Sequence, residues 1–130
     1  MITILVYIMW VLYATLEGSQ DAFMYNVKDI MKSNNMNEHY IFTAGRTIVL
    51  VLACMLDPWM ILLGPLSFSF FHNGSYYFTR NWLDDRIYPK GWFDQSFTST
   101  AKTTTIFTPV NRTVLFLISI IIILIINVCH

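Results

Sequence analysis

From Thr113 to His130 the chain carries no Asp, Glu, Lys or Arg, and Ile120-Ile121-Ile122-Ile123 sits at the centre of that run. β-branched runs favour strands by propensity. In lipid, however, a single uninterrupted segment must satisfy its own backbone, and only a helix does so. Two further apolar segments accompany it. One is Met1 to Leu16, free of charge until Glu17; the other runs from Phe42 to Phe71, interrupted only by Arg46 and Asp57-Pro58. As helices rising 1.5 Å per residue, the first and third would be about 24 and 27 Å long, close to a bilayer core. Composition agrees: 55% of residues are hydrophobic and 12% charged, about half the usual globular share of charge. The expectation is one all-α integral membrane domain with three membrane-embedded helical segments, about 1–16, 42–71 and 113–130.

The middle segment is too long for a simple span, and Asp57-Pro58 divides it. Aspartate before proline is a helix-start signal, because the carboxylate caps free N–H groups and proline fits the first turn. Either one long helix is kinked there, or two short helices form a hairpin that enters and returns. Charge bears on the choice. Lys plus Arg equals Asp plus Glu at 8 each, a balance that offers no field for nucleic acid. All eight basic residues lie between the first and third segments, so a hairpin would place them on one side and a single crossing would divide them. Loops rich in Lys and Arg are predicted to be cytoplasmic, at a bacterial inner membrane. The first segment has no basic n-region, and Ala14-Thr15-Leu16 is a poor cleavage site; a retained helix is expected rather than a signal peptide.

Two extramembrane stretches, 18–41 and 72–112, complete the chain. Ser33-Asn34-Asn35-Met36-Asn37 reads as a turn, and Asp21 to Met31 as a short surface helix. Between Phe70 and Phe93 lie nine of the 21 aromatic residues, beside Arg80, Asp84, Asp85, Arg86 and Lys90. That density predicts an aromatic-rich interfacial loop, with Tyr76, Tyr77, Trp82, Arg86 and Trp92 as candidate contacts to a partner or to headgroups. Ser96 to Thr108 reads as an extended connector.

Ionisable groups in lipid cost about 2.5 to 3.5 kcal/mol each at a helix centre, so each needs a reason. Asp57 is a helix cap or a proton relay, and the motif argues for the cap. Glu17 closes the first helix and Arg46 opens the second, which predicts an interhelical ion pair with Asp21 and His39 nearby. The alternative use of that group is a headgroup or acid–base site. His39, His72 and His130 have no metal-ligand spacing, Asp84-Asp85 reads as solvated, and no nucleophile elbow or phosphate loop occurs; no metal, cofactor or catalytic residue is assigned. Cys54 and Cys129 lie in apolar stretches and read as inert packing residues. Asn73-Gly74-Ser75 and Asn111-Arg112-Thr113 match the glycosylation sequon. Ser67, Ser119 and Asn127 can bond between helices, whereas no small-residue spacing is taken to signal close backbone contact.

Glu17-Gly18-x-x-Asp21-Ala22-Phe23-x-Tyr25, with His39 and Arg46 at the next helix, resembles small integral membrane proteins of bacteriophages and Bacteroidota-type bacteria. Gly91-Trp92, Thr98-Ser99-Thr100-Ala101 and Pro109-x-x-Arg112 add to the likeness. The resemblance implies a prokaryotic or phage inner-membrane protein and carries over no activity and no site. Three function classes follow. The first is a structural, accessory or partner-binding membrane component, in contact with the lipid bilayer and with a protein partner or its own copies. The second is an oligomeric, holin-like pore lined by Asp57 or Glu17. The third is a lipid-acting enzyme using Glu17, His39 or Asp57.

Overall fold

In the computed structural model, residues 2–31, 39–95 and 103–129 are described, and all the regular structure among them is helical. The elements are α1 (Ile2–Met31), α2 (His39–Leu56), α3 (Met60–Leu83), a single 3-10 turn at Gly91–Phe93, α4 (Thr103–Ile106) and α5 (Pro109–Cys129). Two of the helices, over Ile2–Asn26 and Pro109–Val128, are long and apolar enough to cross a membrane. Three crossing segments are not supported. The apolar part of α2 is only Phe42–Leu56, and α3 carries too many polar side chains to read as a span.

Side-chain contacts fix the helix directions. Trp10 Nε1 donates to the Gly64 carbonyl at 3.1 Å, Ser19 meets Thr79 at 3.2 Å, and Phe23 meets Trp82; α1 and α3 therefore run parallel. Leu50 lies against Gly64, and Arg46 lies against Phe68 and His72, so α2 and α3 are antiparallel. Phe116 stacks on Phe70 and Arg112 on Tyr77, which turns α5 antiparallel to α3. The result is an up-down-up-down bundle with α3 in its middle. The core at the α2–α3 end holds Val6, Tyr7, Trp10, Ala53, Met60, Leu63, Ile123 and Ile126.

The middle segment is broken at Asp57-Pro58 into two antiparallel helices, the second running on to Leu83 and not ending near Phe71. α2 stops at Leu56, and Asp57 Oδ1 accepts the Trp59 N–H at 2.9 Å. With proline unable to continue the α2 ladder, the chain reverses there.

Several expected boundaries move. α1 does not close at Glu17 but runs on to Met31, so the surface helix expected over Asp21–Met31 is the continuation of α1. Residues 72–83, expected in an interfacial loop, are the second half of α3. The connector over 96–108 contains the helix Thr103–Ile106, while residues 96–102, like the expected turn at 33–37, lie outside the described residues.

The run of α1 depends on a stripe of small residues. Ala14, Gly18 and Ala22 recur at four-residue spacing, and all three are buried. A Cβ on Gly18 would stand 2.1 Å from the His72 carbonyl oxygen, so glycine alone permits this approach of α1 to α3. The small-xxx-small spacing is thus present and used, contrary to expectation.

On α1 and α3 polarity is arranged inside out. Every exposed residue of α3 is apolar (Ile61, Leu62, Pro65, Phe78 and Trp82), whereas Ser67, Ser69, His72, Ser75, Thr79 and Arg80 are buried. On α1 the exposed residues are apolar from Ile2 to Phe23 with Gln20 as the single exception, while Thr3, Glu17 and Asp21 face inward. Among residues with described side chains, the exposed charges are Asp85, Arg86 and Lys90, all in the turn after α3.

Candidate functional site

Glu17 and Asp21 lie one turn apart on α1 and project onto the same face. Arg46 of α2 bridges them: its Nε is 2.6 Å from Glu17 Oε1 and its Nη2 3.3 Å from Asp21 Oδ2. His72 of α3 joins from the third helix, with Nε2 3.0 Å from Asp21 Oδ2 and 3.1 Å from Arg46 Nη2. Its Nδ1 lies 3.0 Å from Asn73 Oδ1, and its ring stacks on Phe68, which also lies under the Arg46 guanidinium at 5.1 Å. Four ionisable side chains from three helices thus meet inside an apolar bundle. Glu17 is 5% exposed, and Arg46, at 31%, is the member that reaches the surface.

The expected Glu17–Arg46 pair is therefore present, and Asp21 belongs to it. The side chain of His39 lies outside the described residues; the imidazole in the cluster is that of His72. Sequence reasoning placed His72 at the start of a loop because the apolar run ends at Phe71. The signal that could have found it was the polar face of a continued helix, in which Ser67, Ser69, His72, Ser75 and Thr79 recur among aromatics.

Both nitrogens of His72 are engaged, so the imidazole presents no free edge to a substrate, and Ser75 Oγ donates to the His72 carbonyl at 3.0 Å rather than to the ring. Glu17 Oε2 and Asp21 Oδ1 are buried and accept no hydrogen bond among the described residues. Beside them a depression of about 280 Å³ opens between α1 and α2, lined by Tyr13, Leu16, Glu17, Gln20, Phe42 and Gly45.

A second buried centre lies under the aromatic segment. Arg112 of α5, 2% exposed, donates through Nη2 to the carbonyls of Trp92 (3.3 Å) and Asp94 (3.2 Å), and its guanidinium covers the Tyr77 ring at 5.6 Å. The 84–94 turn is closed by short bonds: Lys90 N–H to Asp94 Oδ2 at 2.7 Å and Asn81 Nδ2 to the Tyr88 carbonyl at 2.6 Å. Gly91, at φ +54°, adopts the left-handed geometry this reversal requires. Trp92 then lies directly on Gly74, where a Cβ would stand 1.9 Å from the indole.

The aromatic candidates separate accordingly. Trp82, 73% exposed, and Arg86 face outward, and Tyr76 is half-buried; Tyr77 and Trp92 are packed between α3, α5 and the turn. Asp57 stands at the opposite end of the bundle, where its Oδ1 accepts the Trp59 N–H in an Asx turn ahead of α3; the expected cap is not formed, because the N-cap position is Trp59 and makes no side-chain capping bond. Asp84 Oδ1 accepts the Arg86 N–H at 3.1 Å, a turn-closing role. Of the two sequons, Asn73 faces His72 within the bundle, while Asn111 is exposed and its Nδ2 donates to the Ile106 carbonyl. Cys54 is a free thiol packed against the core; the side chain of Cys129 lies outside the described residues. Among the described residues no group of three or more His, Cys, Asp or Glu side chains could hold a metal ion. No protein-family model matches the chain, and neither the curated proteins nor the solved structures contain a match to it.

Proposed function

We propose that this chain is an integral membrane protein that serves as a structural or accessory component and offers its exposed aromatic end to a partner. The supporting observation is the inverted polarity of α1 and α3. Water would favour the opposite arrangement, because burying charge and exposing apolar side chains both cost free energy in it. Lipid favours the one observed, since polar and ionisable groups then face the bundle interior and each other. In this reading α1 and α5 cross, the α2–α3 hairpin packs beside them, and the exposed charges of the 84–90 turn stand in the aqueous phase. The hairpin makes both Lys- and Arg-containing connecting stretches leave from one end, which supports a cytoplasmic placement of that end at a prokaryotic or phage-infected inner membrane.

Two observations favour an accessory role over the other classes. Asp57 and Glu17, the residues with which an oligomeric pore would line its lumen, are 4% and 5% exposed and so lie within the protomer, not on a surface that copies would share. The cluster that holds His72 leaves the imidazole no free edge for acid–base work. Alkaline carbonate extraction of membranes expressing the chain tests the first half: retention in the pellet is expected, and release into the supernatant would refute membrane integration. Trp82→Ala with Arg86→Ala tests the second. Loss of co-purifying chains with an unchanged helical spectrum is expected, and an unchanged set of co-purifying chains would refute the partner surface.

A further inference from the structure

We propose that the groove between α1 and α2 is a binding site for a protonated primary amine carried on a small apolar body, with the ammonium held by Glu17. Charge gives the ligand its sign. Glu17 and Asp21 present two carboxylates, and Arg46 is the guanidinium that answers them. Each carboxylate keeps one buried oxygen with no hydrogen-bond partner among the described residues, Glu17 Oε2 and Asp21 Oδ1, and of the two residues Glu17 is the one that lines the groove. A buried carboxylate oxygen left unsatisfied costs about 1–3 kcal/mol or more, which a charged donor would recover.

The shape gives the rest of the ligand. Tyr13, Leu16, Glu17 and Gln20 recur at helical spacing on one face of α1 and, with Phe42 and Gly45 of α2, border an open groove of about 280 Å³. That volume lies at the lower end of small-molecule sites. Two aromatic rings and a leucine form the walls, and the Tyr13 hydroxyl is close enough to interact with the Glu17 carboxylate. Gly45 leaves the floor open: a Cβ there meets only the Tyr13 hydroxyl, at 3.8 Å. Leu16 and Gln20 at the rim are exposed, so a ligand would enter sideways, from the bilayer under the membrane reading given above. The geometry of the groove itself does not rest on that reading.

The test uses the full chain in dodecyl maltoside micelles with phenethylammonium as the probe, followed by saturation-transfer NMR and titration calorimetry. Expected is saturable binding at least tenfold tighter than that of phenethyl alcohol, which lacks the charge, or of its N,N,N-trimethyl analogue, which lacks N–H donors. Glu17→Gln should weaken the amine at least tenfold, and Asp57→Asn, at the far end of the hairpin, should leave it unchanged. Should Glu17→Gln fail to fold, Gly45→Leu fills the groove without touching the ion pairs and should abolish binding with the helical spectrum retained. Equal binding of amine and alcohol, or wild-type binding by a folded Gly45→Leu variant, overturns the proposal. In phosphatidylcholine nanodiscs, added phosphatidylethanolamine should compete if the amine is a lipid headgroup; absence of competition assigns the site to a free amine. Carbonate extraction fails or succeeds independently of these titrations, so the two readings fall separately.

Discussion

Two guanidinium groups, the partly exposed Arg46 and the buried Arg112, tie helices of the bundle together, and they are neutralised in different ways. Arg46 is met by two carboxylates and stands beside an imidazole, linking α1, α2 and α3 through charge. Arg112 is met by the carbonyls of Trp92 and Asp94 and by the face of Tyr77, and its Nε and Nη1 have no hydrogen-bond partner among the described residues. The first centre is a set of full charges that fail badly when one is removed. The second is one charge among dipoles and a quadrupole, used to fasten the 84–94 turn onto α5. Removing the charge from the second centre strands carbonyls; removing it from the first strands carboxylates.

The largest effect should therefore follow Arg46→Ala, which leaves Glu17 and Asp21 as like charges within the bundle, at a cost of about 3–5 kcal/mol. Thermal unfolding in micelles, followed at 222 nm, should show it, and Arg46→Ala combined with Glu17→Gln should recover part of the loss. A double variant no more stable than the single one would mean that Arg46 acts through its stacking on Phe68, and the contrast between the centres would disappear.

Gly74→Leu comes next and addresses the second centre without changing charge. A side chain at 74 occupies the place of the Trp92 indole, so the turn must leave α3. Overpacking of this kind costs about 1–3 kcal/mol. Limited proteolysis should cut between 84 and 95 sooner than in wild type, with the Arg46 centre still protected; protection unchanged at both places would show that Trp92 does not hold the turn.

These two centres were unequally legible in the sequence. Glu17 and Arg46 were readable because each interrupts an apolar run, and a charge in such a place calls for an opposite one. Asp57-Pro58 announced the break between α2 and α3, although Asp57 closes a turn there and does not cap α3. His72, Arg112 and the extent of α1 and α3 were hidden for a common reason. An apolar run marks where a helix is apolar all round, and it ends where one face turns polar, although the helix continues. α1 passes Glu17 with Asp21 inward and Phe23 outward, and α3 passes Phe71 with His72 inward and Phe78 outward. The Ala14-Gly18-Ala22 stripe was readable by spacing and was overlooked among larger neighbours. The 84–94 turn rests on long-range packing of Trp92 on Gly74 and Arg112 on Tyr77, which no local pattern encodes.

Arg112→Met should cost less than Arg46→Ala, about 1–3 kcal/mol, because what is stranded is two backbone carbonyls rather than two anions. Methionine keeps much of the stem volume and its contact with Tyr77. The sharper measurement is the ratio of the two losses in the same detergent. A loss from Arg112→Met that equals or exceeds that from Arg46→Ala would mean that carbonyl dipoles hold a buried guanidinium as firmly as carboxylates do here.

A third link supplies the neutral baseline for both. Tyr7 Oη and Ser119 Oγ meet at 2.8 Å between α1 and α5, where Tyr7 is 6% exposed and Ser119 fully buried. No charge is involved, and Ser119 Oγ also lies 2.7 Å from the Phe116 carbonyl, to which it donates. Tyr7→Phe therefore removes one bond without orphaning a buried donor, and the ring keeps its place in the core. Interhelical bonds of this kind within membranes average about 0.6 kcal/mol. A double-mutant cycle of Tyr7→Phe with Ser119→Ala should return a coupling near that value, several-fold below the coupling of Arg46 with Glu17. A coupling as large as the Arg46–Glu17 one would mean that desolvation of the bundle interior, rather than formal charge, sets the strength of every polar link in it, and the difference between the two guanidinium centres would then be one of burial alone.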